Sequence, residues 1–177
     1  MNTRSQVQQN HDNSIINEFI SWHYSLTGEL FDVISRPDPP DAIVRSERRT
    51  TWIEVTDAFF SKEWAKDIFS YATPGEPHRE MAQGSYMGMD DQIVDHFLKV
   101  LEQKFSKDSY FEVFSKYGSG ILIAGLQSPW ADDRTCELAV EAYRAYKKDR
   151  PAKDKGYFSN VFVTYRLLDR QVFAECT

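Results

Sequence analysis

Cysteine is scarce in this chain: Cys136 and Cys176 are the only two among 177 residues. Two thiols cannot build a disulfide framework. Cys136 has no CxxC partner, and His11, His23, His78 and His96 show no zinc-ligand spacing. No apolar run approaches the roughly 18 residues of a membrane span. The opening MNTRSQVQQNHDNS lacks the apolar stretch of a secretory signal. These absences point to a cytoplasmic compartment. Positive charge is also in deficit, with 21 Lys and Arg against 27 Asp and Glu, a net of -6. A broad, sequence-independent nucleic-acid footprint is therefore excluded, while a local basic strip beside an acidic metal site is not. What is present is 41% hydrophobic and 14% aromatic residue content, enough for one compact domain with a substantial core.

Residues 1–13 are polar and read as a disordered tail, leaving 14–177 as a single domain. From Ser14, Ile15, Phe19, Trp22 and Leu26 recur at helical steps, with Ser14 as N-cap and Gly28 as stop. Residues 29–35 (ELFDVIS), 41–44 (DAIV) and 50–56 (TTWIEVT) predict a three-strand meander, broken by the prolines of 36–40. A helix is predicted from Ser61 to about Tyr71, and residues 72–88, rich in Gly and Pro, read as a mobile loop. A helix from Asp90 or Asp91 runs to about Phe105, and a short one covers 110–116. The almost wholly apolar GILIAGL of 120–126 predicts a central strand buried on both faces. A helix over 132–147, a basic loop over 147–155, and a hairpin of 161–165 with 171–174 complete the chain. Interleaved helices and strands predict an α/β layer arrangement with a mixed sheet.

The chemistry concentrates in Pro40-Asp41-Ala42-Ile43-Val44 followed by Trp52-Ile53-Glu54-Val55-Thr56. Pairing of these two strands brings Asp41 and Glu54 to one end of the sheet. Glu54 alternates with Ile53 and Val55 and so points away from the face they bury. A carboxylate in such a strand is costly unless paired, hydrogen-bonded or metal-bound. Two convergent carboxylates suit a hard cation such as Mg²⁺ or Mn²⁺.

Pro40-Asp41 with Glu54-Val55-Thr56, in this order of elements, resembles the PD-(D/E)xK superfamily of restriction-endonuclease-like nucleases. The resemblance covers about residues 14–126. It implies an α-β-β-β-α-β core with a mixed central sheet, here followed by an extra helix and strands. It also implies Asp41, Glu54 and the Val55 backbone carbonyl as ligands of Mg²⁺ or Mn²⁺, and hydrolysis of phosphodiester bonds in nucleic acid, DNA first. Many small nucleases of this kind act as homodimers. Thr56 stands where the family carries its lysine. In some members a lysine from the following helix takes that place.

A helical wheel puts Val94, Phe97, Leu98, Leu101 and Phe105 on one apolar arc, with Lys104 inside it, Lys99 and Gln103 outside, and Lys107 at its margin. Lys104 either meets an anionic partner such as Asp41 and Glu54, or snorkels past Phe97 to solvent. Glu18, beside Trp22 on the first helix, is a further candidate ligand or an ordinary solvated glutamate. Glu29 is a weaker one, and Asp38 competes with Asp41 but better suits the proline turn. Arg45, Arg48 and Arg49, clustered between two strands, are candidate phosphate contacts or a solvated hairpin tip, and Lys107 is a further candidate contact. The basic residues of 147–155 are a solvated loop or a second contact. Loss of the motif lysine also admits a catalytically inactive member of the fold that binds nucleic acid or protein.

Overall fold

A computed structural model describes residues 4–73, 75, 77–78, 88–149 and 154–176. Six strands form one sheet in the order β1 (Asp32–Ser35), β2 (Ala42–Arg45), β3 (Thr50–Phe59), β4 (Gly120–Gln127), β5 (Phe158–Leu167), β6 (Arg170–Glu175). The sheet is mixed. β1, β2 and β3 form an antiparallel meander, β3–β4 and β4–β5 are parallel, and β5–β6 is an antiparallel hairpin. Among the described residues five α-helices accompany it: α1 (Arg4–Thr27), α2 (Lys62–Ala72), α3 (Met89–Ser106), α4 (Phe111–Tyr117) and α5 (Asp133–Asp149). None is long and apolar enough to cross a membrane.

Alternation along the strands sorts the core into two faces. Ile53, Val55, Ile121, Ile123 and Phe162 meet Ile15, Ile16 and Phe19 of α1. Leu122, Ala124, Leu126, Val161 and Val163 meet Ile93, Phe97, Leu101 and Phe105 of α3 and Ala139 and Tyr143 of α5. β4 is thus covered on both sides, as its apolar run predicts. A third cluster, Trp52, Tyr110, Val113 and Tyr157, closes the α3 side below α4.

The first helix corrects the reading of the N-terminus. Residues 4–13, expected as part of a disordered tail, are the opening of α1. No glycine or proline interrupts the chain before Gly28, and His11 pairs with Asp57 of β3 at 3.1 Å, tying this polar half to the sheet. Gly28, at φ +69°, donates its N–H to the Tyr24 carbonyl and ends the helix. The basic loop expected from residue 147 is also shorter: Lys147 and Lys148 belong to the last turn of α5. The stretch 72–88 read as a loop lies largely outside the described residues.

Close approach fixes one glycine. A Cβ on Gly120, at the start of β4, would lie 2.4 Å from carbons of the Trp52 ring. That ring cannot yield: it is fully buried, stacks on Tyr110, and donates its Nε1–H to the Gly118 carbonyl at 2.9 Å. Gly120→Ala is expected to lose about 1–3 kcal/mol of stability by overpacking, measured by urea denaturation. A variant within about 0.5 kcal/mol of the parent would show that the Trp52 site is slack.

Candidate metal centre

β2 pairs with β3 only from Ala42, opposite Ile53, to Arg45, opposite Thr50. Beyond Ile53 the β2-side edge of β3 therefore has no ladder partner. Asp41, one residue before β2, fills the first vacancy: its Oδ2 accepts the Val55 N–H at 2.7 Å. A strand residue directs its N–H and C=O to the same edge, so the Val55 carbonyl faces this opening as well. Val55 and Asp41 both line a cleft of about 470 Å³ there, together with Glu54, Asp12, Arg36, Asp38, Lys104 and Lys107.

Glu54 sits on the α3 face and is only 5% exposed. Its Oε1 accepts two bonds, from Lys104 Nζ at 2.5 Å and from the Tyr110 hydroxyl at 2.7 Å. Its Oε2 is buried with no hydrogen-bond partner among the described residues. Lys104 reaches Glu54 because the α3 arc that buries Phe97, Leu101 and Phe105 carries it toward the sheet. The sequence expectation of an inward lysine with an anionic partner is thus met in geometry, with Glu54 as that partner. Thr56, on the same strand face as Glu54, is half-buried.

The first helix contributes an acid, but not Glu18. Glu18 accepts a bond from Ser14 Oγ and is absent from the cleft lining. Asp12 holds the place instead. Asp12 lies three and four residues before Ile15 and Ile16, so it continues their stripe into the cleft. Extending the helical template backward from Ile15 is the signal that reveals it. The ligand atoms of His11, Asp12 and Asp57 lie within 4.8 Å of one another, and Asp57 also accepts from Gln127 Nε2 at 2.9 Å.

Other candidates fall elsewhere. Arg45, Arg48 and Arg49 lie at or near the β2–β3 turn, the end of β2 opposite to Asp41, and do not line the cleft. Arg49 pairs with Glu29 at 3.3 Å and covers the Phe31 ring, which gives both Arg49 and Glu29 a local packing role. Lys107 does line the cleft, as does Arg36, which sequence reasoning passed over. Asp38 lines it too, although exposed.

Crowded acids in this cleft hold protons. Burial, and next the charge of Glu54, push the Asp41 carboxyl up to about 7, against the pull of the Val55 N–H and Lys104. Burial, then the charge of Asp57, push Asp12 up to about 6. Carboxylates of Asp12, Asp41 and Glu54 and the Val55 backbone line the cleft, while among the described residues the group of ligand atoms close enough to share one ion is His11, Asp12 and Asp57. Oxygen donors of this kind suit a hard cation better than a thiolate-loving metal.

A raised folded-state pKa makes the folded protein bind protons that the unfolded chain releases near its ordinary value of 3.8. Stability contributed by Asp41 is therefore full below about pH 4 and falls as pH rises toward about 7, by on the order of 2 kcal/mol after allowing for solvent screening. Asp41→Asn, which keeps an acceptor for Val55, should flatten this slope in urea titrations run in EDTA. Millimolar Mg²⁺ should restore stability to the parent at about pH 8, and do so much less for the Asn variant. A variant that keeps the parent's slope would contradict the assignment.

No family model matches the sequence, and no curated protein or solved structure matches it either.

Proposed function

We propose that the protein is a divalent-cation-dependent nuclease with a restriction-endonuclease-like core, hydrolysing phosphodiester bonds of nucleic acid, DNA in the first instance. The observation that carries the reading is the buried Glu54, whose Oε2 has no hydrogen-bond partner among the described residues, in the same cleft as Asp41 at the open edge of β3. A buried carboxylate oxygen with no donor is expensive to maintain, and a hard cation bound there offsets that cost. Asp41, Glu54 Oε2 and the Val55 carbonyl would hold Mg²⁺ or Mn²⁺, with Asp12 at the side where Glu18 was expected. When bound, such a cation activates water and stabilises charge on a phosphodiester.

The chain's own residues supply the remainder. Lys104 delivers to the site the positive charge that Thr56 lacks, and stands ready to orient water or stabilise the developing negative charge. Arg36 and Lys107 on the cleft wall offer cations to the flanking phosphates, in place of the distant Arg45, Arg48 and Arg49. A local basic rim of this kind is compatible with a net charge of -6.

The second reading is an inactive member of the same fold that binds nucleic acid or protein, favoured by Thr56 at the motif position. Cleavage of mixed DNA and RNA substrates, with Mg²⁺, Mn²⁺ or EDTA, separates the two. The nuclease reading expects metal-dependent products that disappear in Glu54→Ala. It also expects a loss of about 100-fold or more in Lys104→Met, which removes the charge and keeps the apolar stem, and little change in Lys99→Ala. Absent cleavage would favour the binding protein, and metal-independent cleavage would contradict both readings. Full activity of Lys104→Met would remove that lysine from the chemistry.

A further inference from the structure

Glu54 is not held symmetrically. Both of its donors among the described residues bond to Oε1, and both come from the α3 side of the sheet, from Lys104 near the end of α3 and from Tyr110 in the 3-10 turn Asp108–Tyr110 that follows it. One of the two is mobile by nature and the other is not. A lysine ammonium has three donors on a flexible stem and follows whichever carboxylate oxygen approaches it. The Tyr110 hydroxyl has no such freedom. Its ring is fully buried, stacks on Trp52 at 5.4 Å with 22° between planes, and meets Phe158 and Tyr157 edge-on at 5.3 and 6.2 Å. Trp52 is in turn pinned by the Gly118 carbonyl.

Resting on the metal-centre reading above, we propose that Tyr110 is the positioning residue of this site: its fixed hydroxyl occupies Glu54 Oε1, so that Oε2 is the oxygen left for the cation. Without that hydroxyl, Lys104 alone holds the carboxylate, which is then free to turn and offer either oxygen. The cation would meet a mobile ligand and pay the cost of ordering it. Burial and the charge of Glu54 both push the phenol pKa up, which keeps Tyr110 a neutral donor throughout the working pH range.

Mn²⁺ titration of the full chain by calorimetry, near pH 7.5, tests this with three variants. Tyr110→Phe keeps the ring stack and removes only the hydroxyl. It should weaken Mn²⁺ binding by about 10-fold, the lower end of what outer-shell partners of metal ligands contribute. Tyr165→Phe also removes a buried tyrosine hydroxyl that bonds an aspartate, Asp133, but away from the cleft. It should keep the parent's affinity, which separates positioning from general loosening of the fold. Glu54→Gln should abolish binding. Loss of binding in Glu54→Gln with parental affinity in Tyr110→Phe would overturn the role of Tyr110 and leave the metal centre standing. Parental affinity in Glu54→Gln would overturn the metal centre itself. Tyr110→Met, a flexible apolar filler without a hydroxyl, takes the same measurement should the Phe variant fail to fold, with the same outcomes.

Discussion

An anion inside a sheet sets the terms for the rest of this structure. Glu54 lies on β3 with Ile53 and Val55 buried on one face and α3 covering the other. Its ionised form would be prohibitive there without partners, because water that solvates a carboxylate is excluded. Lys104 and Tyr110 arrive from one helix and the turn that follows it, so the position of α3 on the sheet and the neutralisation of Glu54 are one requirement. The apolar arc of α3 brings the helix down onto β4, and the cation inside that arc lands on the buried Glu54 of β3.

A second constraint is the early end of β2. The ladder stops at Ala42, while β3 continues to Phe59 paired with β4 alone. An open edge exposes unsatisfied backbone groups and is a liability unless it is covered. Here the polar opening of α1 and the Asp41 side chain cover it, and the coverage is incomplete by about 470 Å³. Carboxylates gather in that space because the backbone N–H of Val55 needs an acceptor and because Asp12 follows the stripe of α1 inward. Burial, and after it the charge of neighbouring acids, raises the Asp41 and Asp12 carboxyls, and a divalent cation relieves that repulsion.

Much of this was legible in the amino-acid sequence, for reasons that also explain the omissions. The β4 run and the α3 arc are apolar patterns with a clear period, and periodicity is what burial imposes on a sequence. Lys104 was readable as an exception to its arc. Asp41 and Glu54 were readable because strand pairing places residues before β2 opposite residues after Ile53. The opening of α1 was not readable by the same means: Gln8, Gln9 and Asp12 face a polar cleft, so its helical period carries no hydrophobic signal. Glu18 flanks the stripe beside Trp22, where a solvated glutamate is equally at home, and the stripe reaches the cleft earlier, at Asp12. Tyr110 gave no cue at all, since nothing in a sequence tells where one buried hydroxyl points. The arginines around residues 45–49 cluster between two strands, a pattern that suits a phosphate contact or a hairpin tip alike, and the β2–β3 turn places them at the end of β2 away from Asp41.

The most direct measurement is the anomalous difference density of a crystal of the full chain soaked in Mn²⁺. The expected result is a peak in the cleft within coordination distance, about 2.0–2.6 Å, of Asp41, Glu54 Oε2 and the Val55 carbonyl, with Glu54 Oε1 still bonded to Lys104 and Tyr110. A peak at His11 and Asp57 alone, or a fully soaked crystal with no peak beside Glu54, would contradict the claim that this buried acid is a metal ligand.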